Sequence, residues 1–409
     1  MQFCYPYESK YLPSKNNSEH FFILTEKNAS MIYGSCLLYK ESNSTYRGIC
    51  ISSHWPFFDN FKKFLSGLYE RTMADKNKRN DVVLFDEYEI PIERVVSNYI
   101  FEVPLPPWGK IKVKTISFSG LEQVFTRAPP NELNYLHYDF LKLFNCLSVN
   151  NIIHCLSGIL NEKRIIFLSN DISKLTCVTE SYRTLIFPFN WMHIYIPVLP
   201  IYYIDYLVAP IPFICGILKS QLRQDMQLSD TIIIDLDENS INIFKCRHLD
   251  LIPESLSKKL QKKVKKLIEN KNKKDKRIKN LEYNYKIYKI REAFIEFFGC
   301  ILENYRKAIV YDADKKIKLF DKEKFISSKT EDTKKFFTSL SNTQMFQSFI
   351  DMVLESLKDV LNNTYRMFWI QGSCISTKRY KIIPKVILSK IQLLFIKPNT
   401  IVCLQINRD

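Results

Sequence analysis

Residues able to do covalent or metal chemistry are plentiful in this chain but unpatterned. Six histidines, His20, His54, His137, His154, His193 and His248, show no metal-ligand spacing, and no Gly-x-Ser-x-Gly elbow accompanies them. Eleven cysteines lie singly, without a Cys-x-x-Cys pair, which fits reduced thiols in a cytosol and predicts no metal centre. Nine glycines form neither GxxxxGK nor GxGxxG, so no phosphate-cradling loop is expected. Asp235 and Asp237 share one face of a predicted strand and have the chemistry to hold a cation. They also border a predicted turn, where acidic residues usually serve the backbone. No catalytic residue and no cofactor is expected.

The run from Phe187 to Leu218 is the most apolar stretch, yet it does not read as a membrane span. Asn190, His193 and Asp205 interrupt it, leaving apolar runs of 11 and 13 residues against the roughly 20 that a helical span needs. Pro188, Pro197, Pro200, Pro210 and Pro212 would break a helix repeatedly. Charge is concentrated elsewhere. Residues 254 to 291 hold 15 Lys and Arg against 4 acidic residues, +11 of a formal net +16. A block of like charge repels itself and extends, so this segment reads first as a solvated linker between lobes. Leu256, Leu260, Val264 and Leu267 also space an apolar stripe through it. Lys258, Lys259, Lys262, Lys263, Lys265 and Lys266 are therefore candidates for contact with an anionic membrane surface. Nucleic acid is not an expected partner, because the basic residues sit in one segment instead of spreading over a folded face with aromatics between them.

The elements that must position any site fall into three groups. Phe21 to Leu24, Met31 to Lys40 and Gly48 to Ser52 alternate as strands. A helix then follows Pro56 with Phe57, Phe61, Phe64, Leu65 and Leu68 on one face. Ser97 to Val103 and Lys110 to Phe118 read as two more strands, giving βββαββ. The second group contains helical periods at Leu136 to Phe144 and Ile152 to Leu160. A continuously apolar strand, Lys163 to Ser169, follows and requires cover on both faces. A helix capped by Asp171 or Ser173 and a returning strand at His193 to Val198 complete a βαβ unit, a Rossmann-like topology without nucleotide chemistry. Thr231 to Phe244 reads as a hairpin turning at Asp237 to Asn239. The third group is helical, led by a long helix over 284 to 311 and shorter ones to Leu361. Lys378 to Asp409 is strand-like, with no partner assigned. The start, MQFCYPYESK, lacks a basic region followed by an apolar one, so no secretory signal is expected and the expected location is cytoplasmic.

In order, these residues resemble a tripartite DENN domain. The upstream module is similar in Phe22 to Thr25, Tyr33 to Cys36, Gly48 to Phe58 and Phe101 to Pro107. The central module is the most specific: Leu160 to Ser169, Leu175, Thr176, Phe187 to Trp191, Tyr195 to Pro197, Leu199, Pro200, Tyr206, Ala209, Pro210 and Pro212 to Gly216. The downstream module is similar in Arg291 to Phe294, Phe297, Phe298, Tyr305, Arg306, Phe320 to Phe325 and Thr343 to Gln347. Lys163 stands where the family usually has arginine. The lysine-rich insertion and the tail after Gly372 have no quoted counterpart.

The resemblance implies an α/β (α+β) protein. A longin-like N-terminal lobe, an antiparallel sheet with helices, would be joined to a Rossmann-like α/β lobe with a helical extension. The divisions are 1–118 upstream, 119–250 central, 251–283 basic linker, 284–372 downstream and 373–409 unassigned. It further implies a guanine-nucleotide exchange factor for a Rab-type GTPase in membrane trafficking, peripheral on endomembranes, which makes and breaks no covalent bond. Nucleotide and magnesium would belong to the partner. The implied GTPase-binding residues are Tyr33, Pro56, Phe57, Glu162, Arg164, Leu175, Glu180, Trp191, Tyr195, Asp205 and Tyr206. The alternatives are an adaptor that binds a GTPase or membrane without exchange, and a GTPase-activating protein using an exposed arginine.

Overall fold

Alternation of apolar residues over the first fifty positions makes a meander with two apolar faces. Strands β1 (Asn17–Thr25), β2 (Met31–Lys40) and β3 (Tyr46–Ser53) pair antiparallel, with His20 opposite Cys36 and Cys36 opposite Cys50. Leu37, Tyr39, Ile49 and Ile51 face helix α1 (Phe58–Thr72), which buries Phe61, Phe64, Leu65 and Leu68 against them. Phe22, Cys36, Leu38 and Cys50 belong to the larger core shared with the rest of the chain. Gly34 is required here, because a Cβ would lie 2.2 Å from the Phe22 ring. The structure, a computed structural model, describes residues 2–6, 17–26, 30–40, 46–72, 82–85, 88–109, 111–116, 122–128, 135–223, 225–226, 228–243, 246, 249–269, 276–312, 317–358 and 401–406.

The continuation of this lobe departs from the expected pattern. Strands β4 (Val82–Phe85) and β5 (Tyr88–Pro91) form a hairpin, and Ser97 to Val103, expected as a strand, is helical: α2 (Ile92–Ser97) runs into a π-helical turn over Asn98–Glu102. Tertiary packing overrides strand propensity at these positions. Ile92, Val95, Val96 and Tyr99 recur at helical spacing and lie against the α1 core, where Tyr99 stacks on Phe64 at 3.7 Å between centroids. Within Lys110 to Phe118, of which residues 110, 117 and 118 lie outside the described residues, Val113–Ile116 form β6, paired with β7 (Glu122–Phe125).

The second lobe begins with α3 (Lys142–Cys146) and α4 (Val149–Leu160), followed by β8 (Arg164–Ser169) and α5 (Ile172–Leu185). Asp171 caps α5 by accepting the Ser173 amide at 2.9 Å. Strand β9 (Ile194–Ile196) returns parallel, but it pairs with β10 (Phe213–Leu218), which takes the place beside β8. All six residues of β10 are buried and need cover on two faces, whereas β9 is short and half exposed, suited to an edge. Strands β11 (Thr231–Asp235) and β12 (Ser240–Asn242) complete the order β12-β11-β8-β10-β9, and their turn carries Asn239 at φ 51°.

The lysine-rich segment is not a solvated linker where it is described. Residues Glu254–Glu269 form α6, with Leu260 and Val264 buried in the main core. Helix α7 (Lys276–Ile301) ends sooner than its apolar period suggests, because Asn304 turns the chain at φ 67°. A hairpin of β13 (Ile309–Asp312) and β14 (Ile317–Phe320) leads to α8 (Lys322–Ser327), α9 (Glu331–Ser341) and α10 (Gln344–Lys358). β15 (Ile401–Ile406) pairs antiparallel with β3. The chain is thus mixed α/β, with antiparallel sheets and helices. Among the described residues, no helix is long and apolar enough to cross a membrane.

Candidate functional site

The two lobes meet on a buried polar network, and three of the residues singled out from the sequence belong to it. Glu180, on α5, accepts from the Tyr195 hydroxyl through Oε1 and pairs with Arg183 through Oε2 at 3.1 Å. Arg183 reaches back to the Tyr33 side chain on β2 of the first lobe and lies over the Tyr195 ring. Tyr138 donates to the Glu180 carbonyl at 3.0 Å and shares a 2.7 Å hydrogen bond with Thr184. Burial opposes the Arg183 charge, and the Glu180 carboxylate, Tyr195 and Tyr33 together more than offset it, so the guanidinium titrates above its usual range. Tyr195 is pushed up by burial and then by the same carboxylate, so it stays a neutral donor. This seam fixes one lobe against the other.

Glu162 joins the central elements to α10. It sits at φ 49° in the turn after α4, and its carboxylate accepts the Gln344 amide at 2.9 Å and the Met345 amide at 2.7 Å. Thr343 takes the next, Phe346, at 3.2 Å, so the free donors at the start of α10 are satisfied by two residues far apart in sequence. His193 Nε2 lies 3.1 Å from Glu162, and the Trp191 indole donates to the Ile194 carbonyl at 3.0 Å, which holds the loop before β9 in place. Phe189, from the same loop, packs edge-on against Phe298 and Phe349. Glu162→Ala is expected to lower stability by about 1–2 kcal/mol through loss of the cap. A shift in the urea midpoint with unchanged slope would register it.

The connection from β9 to β10 presents two exposed tyrosines close together on one short element. Residues Ile201–Val208 form a 3-10 helix, so side chains three apart share a face. Ile204 and Leu207 are buried in the core beneath, while Tyr202, Asp205 and Val208 line a ridge in solvent, with Tyr206 beside them. Tyr206 is 66% exposed and Tyr202 51%. Both ends of the segment are tied down. The Ile201 amide donates to the Pro6 carbonyl at 3.0 Å, and Arg164, at the start of β8, donates to the Ala209 carbonyl at 3.2 Å. Arg223 pairs with Asp205 at 2.5 Å. Ile211, 45% exposed, extends the apolar surface.

The residues nominated from the sequence therefore occupy different levels. Asp205 and Tyr206 stand in solvent; Phe57, Leu175, Glu180 and Tyr195 are buried and support what lies above them. Tyr33, Pro56, Glu162, Arg164 and Trp191 are half-buried. Beside Pro56, Trp55 and Trp108 sandwich Arg127, whose guanidinium carbon lies 3.9 and 3.6 Å from the two ring centroids. Sequence reading missed Arg183, Tyr138 and Tyr202. A Tyr-Tyr pair after Pro200 was the available signal for the last. Asp235 and Asp237 have lysines as their cations: Lys219 lies 2.7 Å from Asp235, and Lys174 2.7 Å from Asp237. Against the cost of burial, hydrogen bonds from Lys174, the Asn170 amide and Ser169 hold the Asp237 carboxyl down at about 2.

Between β1, α1 and the start of α5 lies a cleft of about 560 Å3. Several of its polar groups are engaged: Lys62 pairs with Glu19 at 2.5 Å, Lys142 donates to Ser173 at 3.0 Å, and Tyr283 donates to Asp139 at 2.9 Å. His137 in its wall is pushed down to about 4 by burial. On α6, the apolar stripe faces the core, so it is not free to enter a bilayer. Lys258, Lys259, Lys262, Lys265 and Lys266 are exposed, while Lys263 is half-buried and paired with Glu296 at 2.7 Å.

Seam, cap and ridge define a two-lobed mixed α/β protein with a rigidly held aromatic surface. A family model for the DENN (AEX-3) domain matches residues 44–239, and one for the dDENN domain matches residues 320–368. The chain is a DENN domain protein. Human DENN domain-containing protein 2B is 29% identical over 362 residues, covering 85% of this chain and 30% of its own length. Mouse DENN domain-containing protein 1B is 26% identical over 359 residues, covering 87% of this chain and 42% of its own length. DENN domain-containing protein 1A of Xenopus laevis is 25% identical over 361 residues, covering 87% and 32%. The chain spans less than half the length of these relatives.

Proposed function

We propose that this protein is a guanine-nucleotide exchange factor for a Rab-type small GTPase, with a longin-like first lobe and a Rossmann-like second lobe gripping the switch regions between them. Membership of the DENN family supports the class. The observation that carries the choice of surface is the Tyr202–Asp205–Tyr206–Val208 ridge, exposed yet anchored at both ends, since preorganised aromatic surface is what protein recognition uses most effectively. The mechanism is linkage. A surface that binds the nucleotide-free GTPase more tightly than its GDP form must, by reciprocity, weaken GDP binding by the same factor. Switch segments are held by phosphate and magnesium contacts, so stabilising their open form releases GDP and admits GTP. Magnesium and nucleotide are the partner's.

Purified protein added to a panel of Rabs loaded with fluorescent GDP is expected to accelerate release from at least one. No acceleration across the full panel would overturn the reading, and stable binding with unchanged release would make the protein an adaptor. The exposed lysines of α6 support a second contact, with an anionic membrane surface acting through charge alone. Reversing Lys258, Lys259, Lys262, Lys265 and Lys266 to Glu is expected to abolish salt-sensitive binding to phosphatidylserine vesicles, each lysine contributing about 1 kcal/mol near such a surface. Unchanged vesicle sedimentation would remove the membrane from the partners.

A further inference from the structure

Three cysteines that are far apart in sequence meet in the core of the first lobe. Cys36 lies opposite Cys50 across β2 and β3, Cys4 comes from the N-terminal segment, and the three sulfurs lie within 4.8 Å of one another, all buried. His20 lies opposite Cys36 on the other side, on β1, and is itself buried. We propose that Cys4, Cys36 and Cys50 form a binding site for a thiophilic divalent cation, zinc being the first choice, with His20, whose ring lies outside the group of three close sulfurs, turning in as fourth ligand.

Tetrahedral zinc with sulfur at about 2.3 Å places its thiolates roughly 3.8 Å apart, so the cluster needs only a small contraction to close on the ion. The histidine has the tautomer and the open nitrogen that a ligand requires. Its Nε2 lies 3.0 Å from the Phe3 carbonyl oxygen, which selects the tautomer protonated there and leaves Nδ1 as a bare acceptor. Nδ1 is buried and has no hydrogen-bond partner, a costly state that a metal would relieve. The thiols bind as thiolates, giving up their protons as the cation enters. His20 and Cys36 also line the cleft between the lobes, which gives the ion a route in.

Such an ion would act on the ridge without touching it. Cys4 belongs to a short segment whose Pro6 carbonyl accepts both the Ile201 amide and, at 2.7 Å, the Gln221 side chain, while Phe3 packs between Phe22 and Tyr203. Binding would fasten that segment to the sheet and, through it, the start of the 3-10 helix. The site stands independently of the exchange reading.

Cobalt(II) titration of the full chain under reducing conditions tests the proposal. One equivalent is expected to give thiolate-to-cobalt charge transfer together with the intense visible bands of a tetrahedral centre, both bleached by zinc, and zinc is expected to raise Tm. Cys36→Ser or Cys50→Ser should remove the bands and His20→Ala should weaken cobalt binding, while Cys146→Ser and Cys300→Ser, outside the cluster, should change nothing. Absence of the bands from the fully reduced wild-type chain overturns the proposal whether or not the variants fold. So does survival of the bands in Cys36→Ser.

Discussion

Arg183→Met is expected to cost about 3–5 kcal/mol of stability, the penalty for leaving one partner of a buried ion pair uncompensated. Glu180 is 4% exposed, and its two carboxylate oxygens are occupied by Tyr195 and Arg183. Removing the guanidinium leaves a charge that can neither reach water nor be shed without taking up a proton. The double variant Glu180→Gln with Arg183→Met should recover much of the loss, since it removes both charges and keeps the volume. A thermodynamic cycle over the four proteins, by denaturant unfolding, is therefore expected to be strongly non-additive. Additive losses would show that the pair is not coupled. Because Arg183 also meets Tyr33 of the first lobe, the single variant is expected to loosen the lobes as well as lower the midpoint, and faster amide exchange in β1 and β2 would register this.

Much of the second lobe was legible in the sequence because its signals are local. Residues 163 to 169 are continuously apolar, Asp171 sits where a cap belongs, and Asp237 to Asn239 mark a turn. Where partners far away in sequence decide the outcome, local signals misled. Residues 97 to 103 carry aromatic and β-branched side chains that favour a strand, but the α1 face offers a helical groove. The lysines of 254 to 269 suggest solvent, but Leu260 and Val264 find the core. The site followed the same division. Motif positions identified Glu162 and Glu180, yet only the fold gives their work as a cap on α10 and a lobe seam. The cysteines were discounted because no two are spaced as metal ligands along the chain. Antiparallel register is indifferent to that spacing and places Cys36 beside Cys50.

Tyr202→Ala combined with Tyr206→Ala is expected to remove measurable binding to a nucleotide-free Rab while leaving Tm within error of wild type. Exposed tyrosines contribute little to folding, because alanine at these positions opens no cavity, and Ile204 and Leu207, which anchor the segment, are untouched. At an interface the balance reverses. A tyrosine buried on complex formation costs about 2 kcal/mol or more when truncated, some thirtyfold in affinity for each, and two together approach a thousandfold if they act separately. Exchange should fall in parallel, since acceleration depends on the tighter binding of the nucleotide-free form. This separation distinguishes the ridge from the seam: an Arg183 variant that lost exchange would lose stability with it, whereas the tyrosine pair should lose exchange alone. If both tyrosine variants bind and exchange normally, the docking face is not the ridge. The remaining exposed aromatic surface on the first lobe, around Phe101 and Trp108, would then be the next to substitute.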